Sequence, residues 1–232
     1  MKISILVPVF NEEQTISQVI TELLAVKLHC TKEIVIVDDG STDKTSWYLD
    51  RLKKKNKSDI KIIHHKFNQG KGSAVQSGIR ETTGDYLLIQ DADLEYNPIE
   101  ITKLLRPLLK ASKTKLIAVY GSRFKTGKPI ISPLYFLGNK FLTFLTNLLY
   151  GTSLTDMETG YKLLPMTFMK SVKLHSTGFD IEPEITVKLL KVNIPIFEVP
   201  ITYKGRSHLA GKKLTIKDAF AAMKTLVSLK YA

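Results

Sequence analysis

Tyr86-Leu87-Leu88-Ile89-Gln90-Asp91-Ala92-Asp93-Leu94-Glu95 is the stretch that decides how this chain is read. Four apolar residues follow the turn signal Gly84-Asp85, and 86–90 reads as a buried strand. That strand delivers Asp91 and Asp93 at the carboxyl end of a core strand, where open α/β sheets take their ligands. Strand alternation sends both carboxylates to one face. Two hard anionic oxygens converging there suit Mg²⁺ or Mn²⁺, which completes its shell with water and substrate phosphate. An acid-rich solvated turn is the plain alternative, and the neighbouring segments decide between the two.

Upstream, strand and helix signals alternate. Strands are expected over 3–7, 33–37 and 60–64, and helices over 12–26, 43–55 and 71–82, with Ser41 or Asp43 as a cap for the second helix. Downstream, a helix is expected over 99–109 and a strand over 116–120. This order argues for a mostly parallel nucleotide-binding sheet with helices on both faces. The second half reads as helices over 133–150, 181–192 and 215–229, with an extended segment over 197–203.

Composition narrows the function classes. The chain has 232 residues, 44% hydrophobic and 24% charged, which fits a globular protein with a substantial core. Its single cysteine, Cys30, excludes an internal disulfide and fits a reducing compartment. The apolar run at the N-terminus is too short for a secretory signal, and nowhere do about 18 apolar residues run uninterrupted as a spanning helix requires. Against 22 Asp and Glu stand 34 Lys and Arg, a formal charge of +12 that favours anionic partners: nucleic acid, phosphorylated substrates or an anionic membrane. The basic residues are spread along the chain without an aromatic stacking platform, which argues against nucleic acid.

Asn68-Gln69-Gly70-Lys71-Gly72 lacks the earlier glycine of a P-loop, and no G-x-G-x-x-G follows the first strand. Gly70-Lys71-Gly72 still opens a helix, so its N–H groups and Lys71 can face an anion. In Val37-Asp38-Asp39-Gly40-Ser41-Thr42-Asp43, a turn with a helix cap accounts for all but Asp38 and Asp39. Acids at such a strand end accept hydrogen bonds from ribose hydroxyls or a base N–H. None of the five histidines has a metal-ligand or triad spacing, and His64-His65 reads as an ordinary strand end.

These segments, with Pro8-Val9-Phe10-Asn11-Glu12 and Asp91-Ala92-Asp93, occur in the order and at the strand ends of a family 2 glycosyltransferase with a GT-A-type fold, which the chain resembles. Gly121-Ser122-Arg123, Thr155-Asp156-Met157-Glu158-Thr159-Gly160-Tyr161-Lys162, Phe179-Asp180-Ile181-Glu182-Pro183-Glu184 and Tyr203-Lys204-Gly205-Arg206 with Gly211-Lys212-Lys213 narrow the resemblance to dolichyl- and polyprenyl-phosphate hexose synthases. It covers residues 3 to about 215 and implies a single domain over 1–232: a nucleotide-sugar half (1–122), an acceptor half (123–215) and a closing helix (216–232).

The resemblance implies inverting transfer of a hexose from GDP-mannose or UDP-glucose to a polyprenyl phosphate. Asp38 and Asp39, with Pro8, Phe10 and Glu12, would hold base and ribose, while Lys71, Asp91, Ala92 and Asp93 would contact the donor. Asp91 and Asp93 would bind the metal, and Arg206 with Lys212 or Lys213 would close over the diphosphate, Gly205 and Gly211 serving as hinges. A phosphate monoester, with a second pKa of about 6, needs cations more than a general base. Arg123, then Lys140, is expected to contact it. Asp156 and Glu158 are expected at the donor sugar or as an optional base, so Asp93, Asp156 and Arg206 form the expected catalytic set.

The 133–150 helix is apolar around its circumference, since Leu134-Tyr135-Phe136-Leu137 covers a whole turn. It reads as a core helix or as one lying in a lipid interface, and the lipid acceptor favours the interface. The expected location is therefore peripheral, on the cytoplasmic membrane face, without spanning helices. A glycan or protein hydroxyl acceptor, or a non-catalytic basic binding module, are the alternatives.

Overall fold

A computed structural model describes residues 1–55, 60–111, 116–125, 129, 132–206 and 215–231. The first half alternates as expected: β1 (Lys2–Val9), α1 (Ile16–Ala25), β2 (Thr31–Asp38), α2 (Thr45–Lys55), β3 (Ile60–His64), α3 (Lys71–Glu81) and β4 (Tyr86–Ile89). A 3-10 turn (Pro98–Glu100) leads into α4 (Ile101–Lys110) and β5 (Ala118–Ser122). Then follow α5 (Pro133–Tyr150), β6 (Lys162–Pro165), α6 (Met166–Ser171), α7 (Ile181–Lys191), β7 (Ile196–Pro200) and α8 (Ile216–Tyr231).

The strands form one seven-stranded sheet in the order β3-β2-β1-β4-β6-β5-β7. Every pairing is parallel except those of β6, which runs antiparallel to β4 and β5. Both faces are buried, as a parallel sheet demands. Ile3, Ile5, Val7 and Val9 of β1 pack with Ile16, Val19, Ile20 and Leu23 of α1 and with Leu104 of α4. Leu6 points the other way, to Ala74, Val75 and Ile79 of α3 and Ile181, Ile185 and Leu189 of α7. A third cluster joins Leu142 of α5, Val187 of α7 and Leu226 of α8.

Three expectations change. Helix α2 starts at Thr45, whose N–H donates to Asp43 Oδ1 at 2.9 Å, so Asp43 is the cap and Ser41 is not. Helix α1 begins at Ile16, after a turn in which Asn11 takes φ 49°. Strand β4 ends at Ile89, so Asp91 and Asp93 lie in a turn that includes Leu94 at φ 61°, and turn geometry rather than strand alternation aims them.

Candidate active site

The loops after β1, β2 and β4 and the N-terminus of α3 enclose a cleft of about 330 Å³. Pro8, Phe10, Glu12, Asp39, Lys71, Asp91, Ala92, Asp93, Arg123, Glu158 and Arg206 all line it; Asp38, Asp156 and Lys140 do not.

Asp38 is 1% exposed and works beneath the loop. The Ser41 N–H donates to its Oδ1 at 3.1 Å, the Ser46 hydroxyl to its Oδ2, and His64 Nδ1 lies 3.0 Å from the same oxygen. Burial alone would raise its pKa, and these hydrogen bonds more than offset that, holding it below the usual carboxylate range. Asp39 stands at the cleft wall, clamped by the N–H groups of Gln69 (3.0 Å) and Gly70 (2.8 Å), by Asn68 Nδ2 (2.9 Å) and by His65 Nδ1 (2.7 Å). His64 and His65 are thus among the groups that hold the aspartate pair, a contact their reading as an ordinary strand end does not include.

Of the two metal-type carboxylates, Asp91 is paired with Lys71 and Asp93 is the less well compensated. Asp93 accepts from the Glu95 N–H at 3.0 Å, and Arg206 Nη2 comes no closer than 3.7 Å. Burial, then repulsion from Asp91 and Glu95, pushes Asp93 up to about 8. Such crowded negative charge fits a divalent cation. A cation held by Asp91 and Asp93 alone would complete its shell with water or phosphate oxygens; among the described residues no group of three or more His, Cys, Asp or Glu side chains is placed to hold a metal ion. Arg206 grips Glu12 with two parallel bonds, Nη1 to Oε2 at 2.9 Å and Nη2 to Oε1 at 2.8 Å, while its backbone N–H donates to Glu95 Oε1 at 2.5 Å. Lys212, Lys213 and Gly211 lie outside the described residues.

On the other wall, Arg123 donates through Nε (2.7 Å) and Nη2 (2.6 Å) to Asp156, which also accepts the Arg123 N–H at 2.9 Å. Asp156 is fully buried and committed to this grip, so it positions Arg123 and does not face the cleft as the expected base would. Arg123 keeps unused N–H donors on the cleft side. Glu158 does face the cleft; its Oε1 is sealed without a hydrogen-bond partner, and burial pushes its pKa up to about 7. Lys140 sits on α5 over the Phe124 ring, 4.0 Å from its centre.

The sequence profile described as glycosyl transferase family 2 matches residues 4–171. The chain is a family 2 glycosyltransferase. It is similar to the dolichol-phosphate mannosyltransferase of Pyrococcus furiosus, 31% identical over 226 residues that span 92% of this chain and 61% of that enzyme. It is also similar to the UDP-N-acetylglucosamine–dolichyl-phosphate N-acetylglucosaminyltransferase of Methanococcus voltae, 28% identical over 98% of this chain and 96% of that one. Among solved structures it is similar to Mycobacterium tuberculosis glucosyl-3-phosphoglycerate synthase in complex with Mn²⁺, UDP and phosphoglyceric acid. There the TM-score is 0.77 at 18% identity, over 99% of this chain and 78% of that one, which establishes the GT-A fold.

In this glycosyltransferase the cleft floor holds a charge cluster that joins Lys71, expected at the donor, to Lys162 and Glu182, for which the sequence suggested no role. Lys162, at the start of β6, is fully buried and donates to Met157 O at 3.0 Å, to Thr159 O and to Glu182 Oε2 at 2.6 Å. Lys71 Nζ lies 2.8 Å from Asp91 Oδ1 and 3.1 Å from Glu182 Oε1. Lys162 falls inside one of the motifs of the resemblance, and that placement is its only signal in the sequence. A lysine so buried is rare, and local sequence does not announce it.

Proposed function

We propose that this glycosyltransferase moves a hexose from a nucleotide sugar to a polyprenyl phosphate at a membrane surface, with inversion and with a divalent metal. The observation that carries the lipid acceptor is the link from cleft to helix α5. Arg123 lines the cleft, and the next residue, Phe124, packs edge-on against Phe136 of α5 with ring centres 5.4 Å apart. That helix exposes Leu134, Leu137, Phe141, Phe144 and Leu148, each more than half accessible and spaced along one stripe. Among the described residues no helix is long and apolar enough to cross a membrane, so an interfacial α5 is the reading that uses this stripe. The relatives named for dolichyl-phosphate acceptors support the same choice.

In this mechanism a phosphate oxygen of the acceptor attacks the anomeric carbon while the bond to the donor diphosphate breaks. Asp91 and Asp93 would hold Mg²⁺ or Mn²⁺, which supplies Lewis-acid stabilisation of the leaving diphosphate. Arg206, kept in place by Glu12, faces the same developing charge, and Asp39 with the loop it clamps shapes the nucleoside end. Arg123, held rigid by Asp156, orients the acceptor phosphate, whose dianion requires no proton acceptor.

Labelled GDP-mannose, UDP-glucose and UDP-N-acetylglucosamine, each offered with polyprenyl phosphate and Mn²⁺, test this reading. Organic-extractable label from one donor, lost with chelator and in Asp93→Asn, is the expected result. Metal-dependent donor hydrolysis without lipid label would discard the polyprenyl acceptor.

A further inference from the structure

Lys71 touches the carboxylate that the proposed metal needs. Its ammonium is 2.8 Å from Asp91 Oδ1, within the reach a cation would require for the same oxygen. A dication and an ammonium cannot share one carboxylate oxygen without strong repulsion in a largely buried site. A metal that takes Asp91 Oδ1 therefore requires Lys71 to leave it, and the surroundings restrict where Lys71 goes. Behind it stands Gly160, where a Cβ would lie 2.5 Å from Asp91 Oδ2 and 3.5 Å from Lys71 Nζ, so the backbone closes that side. The remaining directions are Glu182 and the cleft.

Glu182 is built to receive it. One oxygen, Oε2, is taken by Lys162, which two backbone carbonyls also hold in place. The other, Oε1, is buried and lies 3.1 Å from Lys71, a charge contact without hydrogen-bond alignment. Lys162 pairs with Glu182 whichever way Lys71 turns, and Lys71 already lies 3.1 Å from Glu182, so on leaving Asp91 it keeps an anionic partner that it holds at rest. The ammonium keeps a buried carboxylate at hand and frees an N–H donor to direct into the cleft, which it already lines.

We propose that Lys71 is the resting counter-ion of Asp91, and that the Lys162–Glu182 pair is a positioning device that takes Lys71 over when metal and donor diphosphate bind together. The proposal rests on Asp91 being a metal ligand. Its consequence is synergy: metal alone must displace Lys71, whereas metal accompanied by a diphosphate gives Lys71 a new anion to face.

Calorimetric titration of Mn²⁺ into the nucleotide-free protein, alone and with UDP or GDP present, tests this in the wild type and in Lys71→Met and Asp91→Asn. In the wild type, Mn²⁺ is expected to bind at least about tenfold more tightly with the diphosphate than alone. Lys71→Met removes the competitor and is expected to tighten binding of Mn²⁺ alone by about tenfold, so that the gain on adding diphosphate shrinks by about the same factor and only the share from direct phosphate coordination remains. Circular dichroism confirms that each variant is folded, and Lys71→Arg, which restores the charge, should weaken Mn²⁺ binding again. If Asp91→Asn abolishes Mn²⁺ binding but Lys71→Met leaves it unchanged or weaker, the counter-ion role is overturned and the metal site stands. If Asp91→Asn leaves Mn²⁺ binding intact, the metal assignment itself fails and takes the inference with it.

Discussion

Glu158 shows how a single carboxyl in this cleft ties stability to pH. Its folded-state pKa is pushed up to about 7 by burial, against 4.5 for an ordinary glutamate, and Oε1 has no hydrogen-bond partner. Between those two values the native state keeps a proton that the unfolded chain has released, so the contribution of Glu158 to stability falls as pH rises. The whole shift corresponds to about 3 kcal/mol, and water reaching the cleft side screens part of it, leaving about 1–2 kcal/mol. Glu158→Gln removes the ionisation, so the variant should melt roughly 3–6 °C above wild type at pH 8 and close to it at pH 5. Parallel pH slopes in the two melting series would contradict the burial argument. Gly160 carries a different constraint, because a Cβ would meet Asp91 Oδ2 at 2.5 Å. Gly160→Ala is expected to displace that carboxylate and lower the transfer rate by about 10²-fold, since an ångström of misplacement has that effect in an active site. Retained activity would mean that Asp91 has room to move.

Among the elements, those that announce themselves by periodicity are the ones the sequence makes legible. Strands β1 to β4 and helices α3 and α5 follow from short apolar runs bounded by Gly, Asp and Pro, and α5 spans Pro133–Tyr150 as read. Strand β6 does not follow: Lys162-Leu163-Leu164-Pro165 opens on a charge and closes on proline, and only its place between β4 and β5 makes it a strand. The same limit governs the site. Asp91 and Asp93 are candidates by residue type and position and Arg206 by the family resemblance, whereas the commitment of Asp156 to Arg123 and of Glu182 to Lys162 depends on elements far apart in sequence. Helix α5 carries its own test. Leu137 and Phe144 are 64% and 62% exposed, so replacing both with glutamate should alter stability by only about 0.5 kcal/mol each. The double variant should nonetheless sediment far less with anionic vesicles and yield less lipid-linked product, while Mn²⁺-dependent donor binding is unchanged. Unaltered vesicle binding would return α5 to an ordinary surface role.

At the scale of the whole molecule, the proposed attraction to an anionic bilayer has two separable sources, the charge of +12 and the stripe on α5, and salt distinguishes them. Basic residues near such a surface contribute about 1 kcal/mol each within a Debye length of about 10 Å at 0.1 M salt, shrinking to about 3 Å at 1 M. Burial of leucine and phenylalanine in the interface is not screened in this way. Binding of the wild type to vesicles containing acidic lipid should therefore fall steeply between 0.05 and 0.5 M salt (roughly one to several Debye lengths of charge separation) and then level off at the share contributed by α5. The Leu137→Glu, Phe144→Glu protein should start lower at low salt and continue toward zero. Vesicles of neutral lipid should show only the salt-insensitive share, and only with wild-type α5. A wild-type curve that falls to zero in high salt would leave electrostatics as the sole attraction and remove the apolar helix from the account of how this glycosyltransferase meets its acceptor.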